Sequence, residues 1–210
     1  INDLDAKKIC RLKKILVNLE ISMNNEIVKN ALKIKPNYIC IVPENRKEVT
    51  TEGGLNLSKN KKKLKKIIKA FKKAQIRTSL FINPSIKDIK ISKELNVDCV
   101  EIHTGRISNL VKLKKNYKAE FSRIKKSSIL ANKLNIEVHA GHGLDYKTTM
   151  ILNKIQEIKE FNIGHFIIGE AISIGIDRAI KKMRTIIDKS REEWIEMIIG
   201  IGNDLVEINR

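Results

Sequence analysis

The chain has 210 residues, 42% of them hydrophobic and 4% aromatic, with a formal net charge of +18. That length and apolar fraction allow a sizeable core and exclude a wholly disordered polypeptide. No apolar run reaches the ~18 residues needed to cross a bilayer, and the opening "INDLDAKKIC" lacks the apolar stretch of a secretory signal.

The chain opens without an initiator Met, which reads as the mark of a fragment. Its three cysteines, Cys10, Cys40 and Cys99, are far apart and form no C-x-x-C. They read as reduced thiols of a cytoplasmic protein. The first sixteen or so residues predict a helix capped by Asn2, Asp3 or Asp5, with Ile9, Leu12 and Leu16 as its apolar face. A strand "VNLEIS" (17–22) and a helix "NNEIVKNALKI" follow. "YICIVP" (38–43) leads through a polar, glycine-bearing loop into "KNKKKLKKIIKAFKKA". There Leu64, Ile67, Ile68 and Phe71 fall at i, i+3, i+4 and i+7, which assigns the lysines to the solvent face of a helix. No nucleic-acid motif accompanies them, so the charge run predicts no nucleic-acid partner.

The alternation continues with "RTSLFI" (77–82), a helix over "SIKDIKISKELN", and "CVEIHT" (99–104). A long helix near 114–134, "IEVHA" (136–140) and a helix near 147–155 come next. "IGHFII" (163–168) reads as the last strand, before a helix from about 170 to 189. About six strand–helix units with no hairpin spacing imply a parallel sheet. A doubly wound dinucleotide fold would carry a G-x-G-x-x-G turn, and none opens a unit. Polar residues gather instead where strands end: Glu20, the "ENRKEVTTEGG" loop, Glu101 and His103, His139 and His142, and Gly164 and His165. A (β/α)8 TIM barrel builds its site this way. Since such barrels run to ~250 residues, this one is expected to be incomplete at the N-terminus, with about two of its eight units absent.

The stretch "EVHAGHGLDY" (137–146) holds two of the four histidines beside two glycines. Metal ligands, a phosphate-and-proton site, or a tight turn would each account for it. Glu20, inside the apolar "VNLEI", is costly to bury without a partner or a purpose. A general base and a strand-end ion pair with a lysine are the two readings.

"VNLEIS", "KPNYICIVPENRKEVTTEGGLNL", "VEIHTG", "VHAGHGLDY" and "FNIGHFIIGEAI", taken in order over residues 1–190, resemble the pyridoxine 5'-phosphate synthase family. The resemblance implies a (β/α)8 barrel assembling as a homo-octamer, with neither cofactor nor metal. It implies condensation of 1-deoxy-D-xylulose 5-phosphate with 3-amino-2-oxopropyl phosphate to pyridoxine 5'-phosphate, phosphate and water. On the matching positions Glu20 is the general base, His142 the proton donor and Glu101 a transition-state stabiliser. Thr50 binds the deoxyxylulose phosphate, with Gly53 and Gly54 letting its loop fold over. Gly143 lets a phosphate approach the backbone, and Gly164 and His165 bind the amino-ketone phosphate, with Gly169 opening the helix that follows. His139 and His103 match no such position, and packing is the default for His139. The family's residues from its first two strands have no counterpart here.

The last residues, "MIIGIGNDLVEINR" (197–210), resemble the start of holo-acyl carrier protein synthase, with Asp204 at a magnesium-binding position. Two segments follow, a barrel over 1–193 and a tail over 194–210, the tail expected to be an unpaired strand. A barrel of six units alone would leave two hydrogen-bonding edges open.

Overall fold

The computed structural model describes residues 2–12, 15–44, 53–188, 196–201 and 204–207. After a short helix α1 (Asp3–Cys10), six strands run parallel and adjacent in chain order. They are β1 (Val17–Ile21), β2 (Tyr38–Ile41), β3 (Arg77–Ile82), β4 (Cys99–His103), β5 (Glu137–Gly141) and β6 (Ile158–Asn162). Between them lie α2 (Asn25–Ile34), α3 (Leu57–Lys73), α4 (Ile86–Leu95), the pair α5 (Gly105–Lys112) and α6 (Lys118–Lys133), and α7 (Tyr146–Leu152). Two more helices, α8 (His165–Ile174) and α9 (Ile176–Asp188), follow β6. The protein is an α/β fold built on a curled parallel sheet.

Side chains alternate across that sheet, as the period of a strand requires. Leu19, Ile21, Ile39, Ile41, Leu80, Ile82, Val100, Ile102, Val138 and Phe161 join the buried core. Each packs on the helix side. The residues between them, Glu20, Cys40, Ser79, Glu101, His139, Glu160 and Asn162, share the opposite, inner face. An irregularity opposite Val138 and His139 skips Lys159, so that Glu160 and Asn162 stay in register with His139 and Gly141. The inner face is polar because the chemistry sits there; the outer face carries the hydrophobic stabilisation. On α3, Leu64, Ile67, Ile68 and Phe71 are buried as their spacing predicts, and the lysines between them point to solvent.

Several expected boundaries are corrected. Helix α1 stops at Cys10, capped by the Asn2 side chain, which accepts from the Asp5 N–H at 2.9 Å. Its one buried residue is Ala6, and Leu12 is 57% exposed. The helix expected near 114–134 is α6, and a further helix, α5, that the pattern did not predict precedes it, with Lys114 between the two in the left-handed region. The sixth strand is "IKEFN", not "IGHFII": His165 already begins α8, because Gly164 turns the chain and takes the N-cap position. Gly169 therefore lies within α8 rather than at its start. Gly175 (φ +83°) breaks the expected terminal helix into α8 and α9.

The tail is also paired rather than free. Strand β7 (Glu196–Ile201) lies parallel to β6, and β8 (Asp204–Glu207) lies antiparallel to both β7 and β1. This hairpin closes the ring and takes up the edge hydrogen bonds of β1 and β6, the liability that an open sheet would carry. Asp204 opens β8, opposite Leu19 of β1. The expected boundary between barrel and tail, near 190–196, falls largely outside the described residues.

After α2 and β2 the chain returns to the sheet at Gly54. Its N–H donates to Asn83 Oδ1 at 3.1 Å, and a Cβ there would lie 2.6 Å from the Asn83 nitrogen and 2.8 Å from the Ile82 carbonyl carbon. Neither backbone atom can move cheaply. Gly54→Ala is expected to destabilise the protein by about 1–3 kcal/mol, read as a lowered urea midpoint with an unchanged slope.

Candidate active site

At the C-terminal ends of the strands is a cavity of about 1110 Å³. Glu20 from β1 and Glu101 from β4 line it, together with His142 and Gly143 after β5 and Gly164 and His165 after β6. Residues separated by up to 145 positions in the chain thus meet at one rim, because parallel strands deliver all their C-terminal ends to the same side. Thr50 lies outside the described residues. Gly53 also lines the cavity.

Glu101 is 3% exposed, with Oε2 accepting from Asn162 Nδ2 at 2.6 Å and from the Cys40 thiol at 3.6 Å. Burial raises its pKa to about 7, against the lowering effects of the Asn162 hydrogen bond and the His139 charge. Near neutral pH this carboxyl exists in both forms. Cys40, wholly buried and opposite Glu20 in the sheet, has its thiol pushed well up by burial, then by the charges of Glu101 and Glu20. Two carboxylates therefore flank one protonated thiol.

His142 stands just past β5 with φ +78°. A non-glycine residue held there stores strain on the order of 1–3 kcal/mol, a cost that concentrates at functional sites. Burial lowers its pKa, and the nearby His165 lowers it further. Gly143 (φ +75°) continues the left-handed turn, packed against Ser108. Gly164 caps α8 without a side chain, so no side-chain oxygen competes for the first-turn N–H groups. Such an end favours an anion.

Below this rim the inner face carries a charge network that the sequence did not announce. Arg77 Nη2 lies 3.1 Å from Glu137 Oε1, which accepts from His139 Nε2 at 2.9 Å. His139 Nδ1 is 2.9 Å from Glu160 Oε1, out of line for a good hydrogen bond but close enough for strong attraction. Burial opposes the His139 cation, yet Glu160 and Glu137 outweigh it and hold the pKa well above the usual value. Glu137 is lowered to about 2, first by its hydrogen bond from His139. His139 is thus the buried cation of an ion network, not simply packing. Cys99, Glu137 and His139 bring one possible ligand atom each within 4.8 Å. Glu137, however, is engaged by Arg77, and burial pushes the Cys99 thiol up to about 11. That group is better matched to its own charges than to a dication.

Glu101 links the site to stability. A carboxyl whose folded pKa is raised binds its proton more tightly folded than unfolded. Its stabilising contribution is full below about 4.5 and is lost as pH rises to about 7. Glu101→Gln keeps the acceptor for Asn162 and cannot ionise. It is expected to gain stability over the wild type between pH 5 and 8, by on the order of 2–3 kcal/mol at the upper end. Thermal midpoints across that range, parallel in both proteins, would contradict this.

The family model for pyridoxal phosphate biosynthesis protein PdxJ matches residues 1–189. The chain belongs to the PdxJ family. A pyridoxine 5'-phosphate synthase of Pelagibacter ubique (strain HTCC1062) is 65% identical over 189 residues, covering 90% of this chain and 79% of the relative. A Zymomonas mobilis protein of the same name is 45% identical, covering 84% and 68%. One from Prochlorococcus marinus (strain MIT 9211) is 40% identical, covering 91% and 78%. Among solved structures, a HpcH/Hpal aldolase/citrate lyase family protein from Burkholderia cenocepacia J2315 superimposes with a TM-score of 0.50 at 9% identity, covering 95% of this chain and 84% of that one. That likeness concerns the fold alone. No helix among the described residues of this PdxJ chain is long and apolar enough to cross a membrane.

Inside the PdxJ site, the sequence signals that were overlooked are polar residues in strands. Asn162 ends "IKEFN" and holds Glu101, and Cys40 sits at an inward position of "YICI". Both become visible once the period-two alternation is followed through every strand rather than only through those with carboxylates.

Proposed function

We propose that this PdxJ protein is a pyridoxine 5'-phosphate synthase, condensing 1-deoxy-D-xylulose 5-phosphate with 3-amino-2-oxopropyl phosphate into the pyridine ring. The observation that carries the reading is the convergence of Glu20, Glu101 and His142 on one cavity. Ring formation needs an amine to attack a ketone, phosphate to leave, and water to add and depart. Each step moves a proton between carbon, nitrogen or oxygen and a nearby group. Glu20 serves as the general base. His142, reachable from the cavity, serves as the proton donor. Glu101 opposes the positive charge that develops on an iminium-like nitrogen when ionised, and gives up no net charge to the cavity when protonated.

The cavity of about 1110 Å³ has room for two small phosphorylated molecules. One phosphate is assigned to the α8 N-terminus at Gly164 and His165, the other to the loop bearing Thr50, with Gly143 admitting close backbone approach. The excess of lysine would raise the local concentration of both anions. In this reading residues 1–193 are a (β/α)8 barrel lacking its first two strand–helix units, and the complete protein is a cytoplasmic homo-octamer. Strands β7 and β8, within residues 194–210, pair with β6 and β1 of the same sheet and carry no phosphopantetheinyl transfer of their own.

The test supplies both substrates to the complete protein and follows pyridoxine 5'-phosphate and inorganic phosphate together. Equimolar formation supports the reading. Binding of both substrates without ring product overturns it.

A further inference from the structure

His142 is the strained residue of the site, and the structure shows what holds it. The triplet His103-Thr104-Gly105, at the end of β4, packs directly on the triplet Gly141-His142-Gly143 at the end of β5. The His103 and His142 rings stack, 4.7 Å between centroids and 23° between planes. Phe81, on the neighbouring strand β3, meets the His103 ring edge-on at 5.3 Å. The space for the His103 ring is cut from two glycines. A Cβ at Gly53 would lie 2.8 Å from His103 Nε2, and one at Gly105 would lie 2.7 Å from His103 Cε1 and 3.0 Å from His142 Cδ2.

The backbone of the same turn is pinned by Thr104. This residue is fully buried, and its N–H donates to the Gly141 carbonyl at 2.9 Å. Its hydroxyl lies 2.7 Å from both the Gly141 and the His142 carbonyl oxygens. The position is notable for what the hydroxyl leaves undone. Thr104 is the N-cap of α5, where a threonine ordinarily accepts from a first-turn N–H. Here no side-chain cap is made. The hydroxyl is turned the other way, as a donor onto the strained turn.

We propose that His103 and Thr104 are positioning residues that clamp His142: the imidazole stack fixes the ring plane over the cavity, and the threonine hydroxyl holds the left-handed backbone that presents it. The proposal rests on the reading of His142 as the proton donor. A proton donor must sit within a few tenths of an ångström of its acceptor, and a residue at positive φ drifts unless its surroundings over-determine it. Two independent contacts, one to the ring and one to the main chain, supply that constraint without touching substrate.

The clamp makes a specific kinetic demand. Loosening it should lower kcat while leaving KM for both phosphorylated substrates nearly unchanged, since neither His103 nor Thr104 is itself a residue assigned to a phosphate. His103→Ala is expected to lower kcat about 30-fold with KM moved less than threefold, and His103→Phe, which keeps a stacking ring, to recover kcat to within about threefold of wild type. Thr104→Val, which keeps shape and loses the hydroxyl, is expected to lower kcat about tenfold and serves should His103→Ala fail to fold. The deciding measurement is a double-mutant cycle with His142→Asn. A residue acting through His142 has no further effect once His142 is gone, so His103→Phe and Thr104→Val should leave the residual rate of His142→Asn unchanged. Wild-type kcat in both His103→Ala and Thr104→Val overturns the clamp alone. So does an equal loss in the His142→Asn background. Normal turnover by His142→Asn itself overturns the role of His142, and the clamp falls with it.

Discussion

His142→Asn and Glu20→Gln are each expected to lower kcat by about 10²–10⁴-fold, the range for removal of a positioned acid or base. The substitutions are close in shape, so the cavity should survive. Asn cannot donate a proton as an imidazolium does, and Gln cannot accept one as a carboxylate does. Glu20 is only partly buried on β1, which leaves its carboxylate reachable from the cavity. His142 is exposed at the cavity rim, which leaves its imidazole accessible to a substrate, and its pKa is lowered by partial desolvation and by His165. Because the two groups would serve one reaction sequence, the double variant should lose less than the product of the two single losses. Steady-state assays with both substrates give the rates. Turnover within threefold of wild type in either single variant removes that residue from the chemistry.

How much of this was legible in the sequence depended on what kind of physics fixed each feature. The strands "RTSLFI" and "CVEIH" were readable because alternation is local: Leu80 and Ile82 alternate in the first, and Val100 and Ile102 bracket Glu101 in the second. The site residues Glu20, Glu101, His142, Gly143, Gly164 and His165 were named from motif resemblance, and the sheet brings all of them to one cavity. Where one residue decides a boundary, the sequence reading slipped. "IGHFII" looks like a strand by composition, yet Gly164 starts a helix and the strand is the more polar "IKEFN". Leu12 was placed on a buried face that its helix does not reach. The His103 stack, the Thr104 hydroxyl and the Arg77–Glu137–His139–Glu160 network were not legible, because each joins different strands. Only the register, Glu101 opposite His139 and His139 opposite Glu160, places them side by side.

Gly141→Ala is expected to be the most damaging single-methyl change in the site. A Cβ on Gly141 would fall 1.9 Å from Glu101 Oε1, 2.9 Å from its Cδ and 3.2 Å from Asn162 Cβ. The backbone there is ordinary strand, so the requirement for glycine is one of space alone. Glu101 has little room to retreat: it is buried, and its other oxygen is held by Asn162 Nδ2 at 2.6 Å. Either the carboxyl leaves its hydrogen bonds or β5 moves away from β4, and both outcomes cost. Overpacking together with a broken buried hydrogen bond predicts a loss of about 2–4 kcal/mol, with kcat reduced at least tenfold by displacement of Glu101. The cause can be isolated by removing the obstacle. In Glu101→Ala the methyl group has a cavity to enter, so adding Gly141→Ala there should cost less than about 0.5 kcal/mol. A full penalty in that background would place the conflict with Asn162 or the backbone instead, and would mean that Gly141 is not glycine for the sake of Glu101.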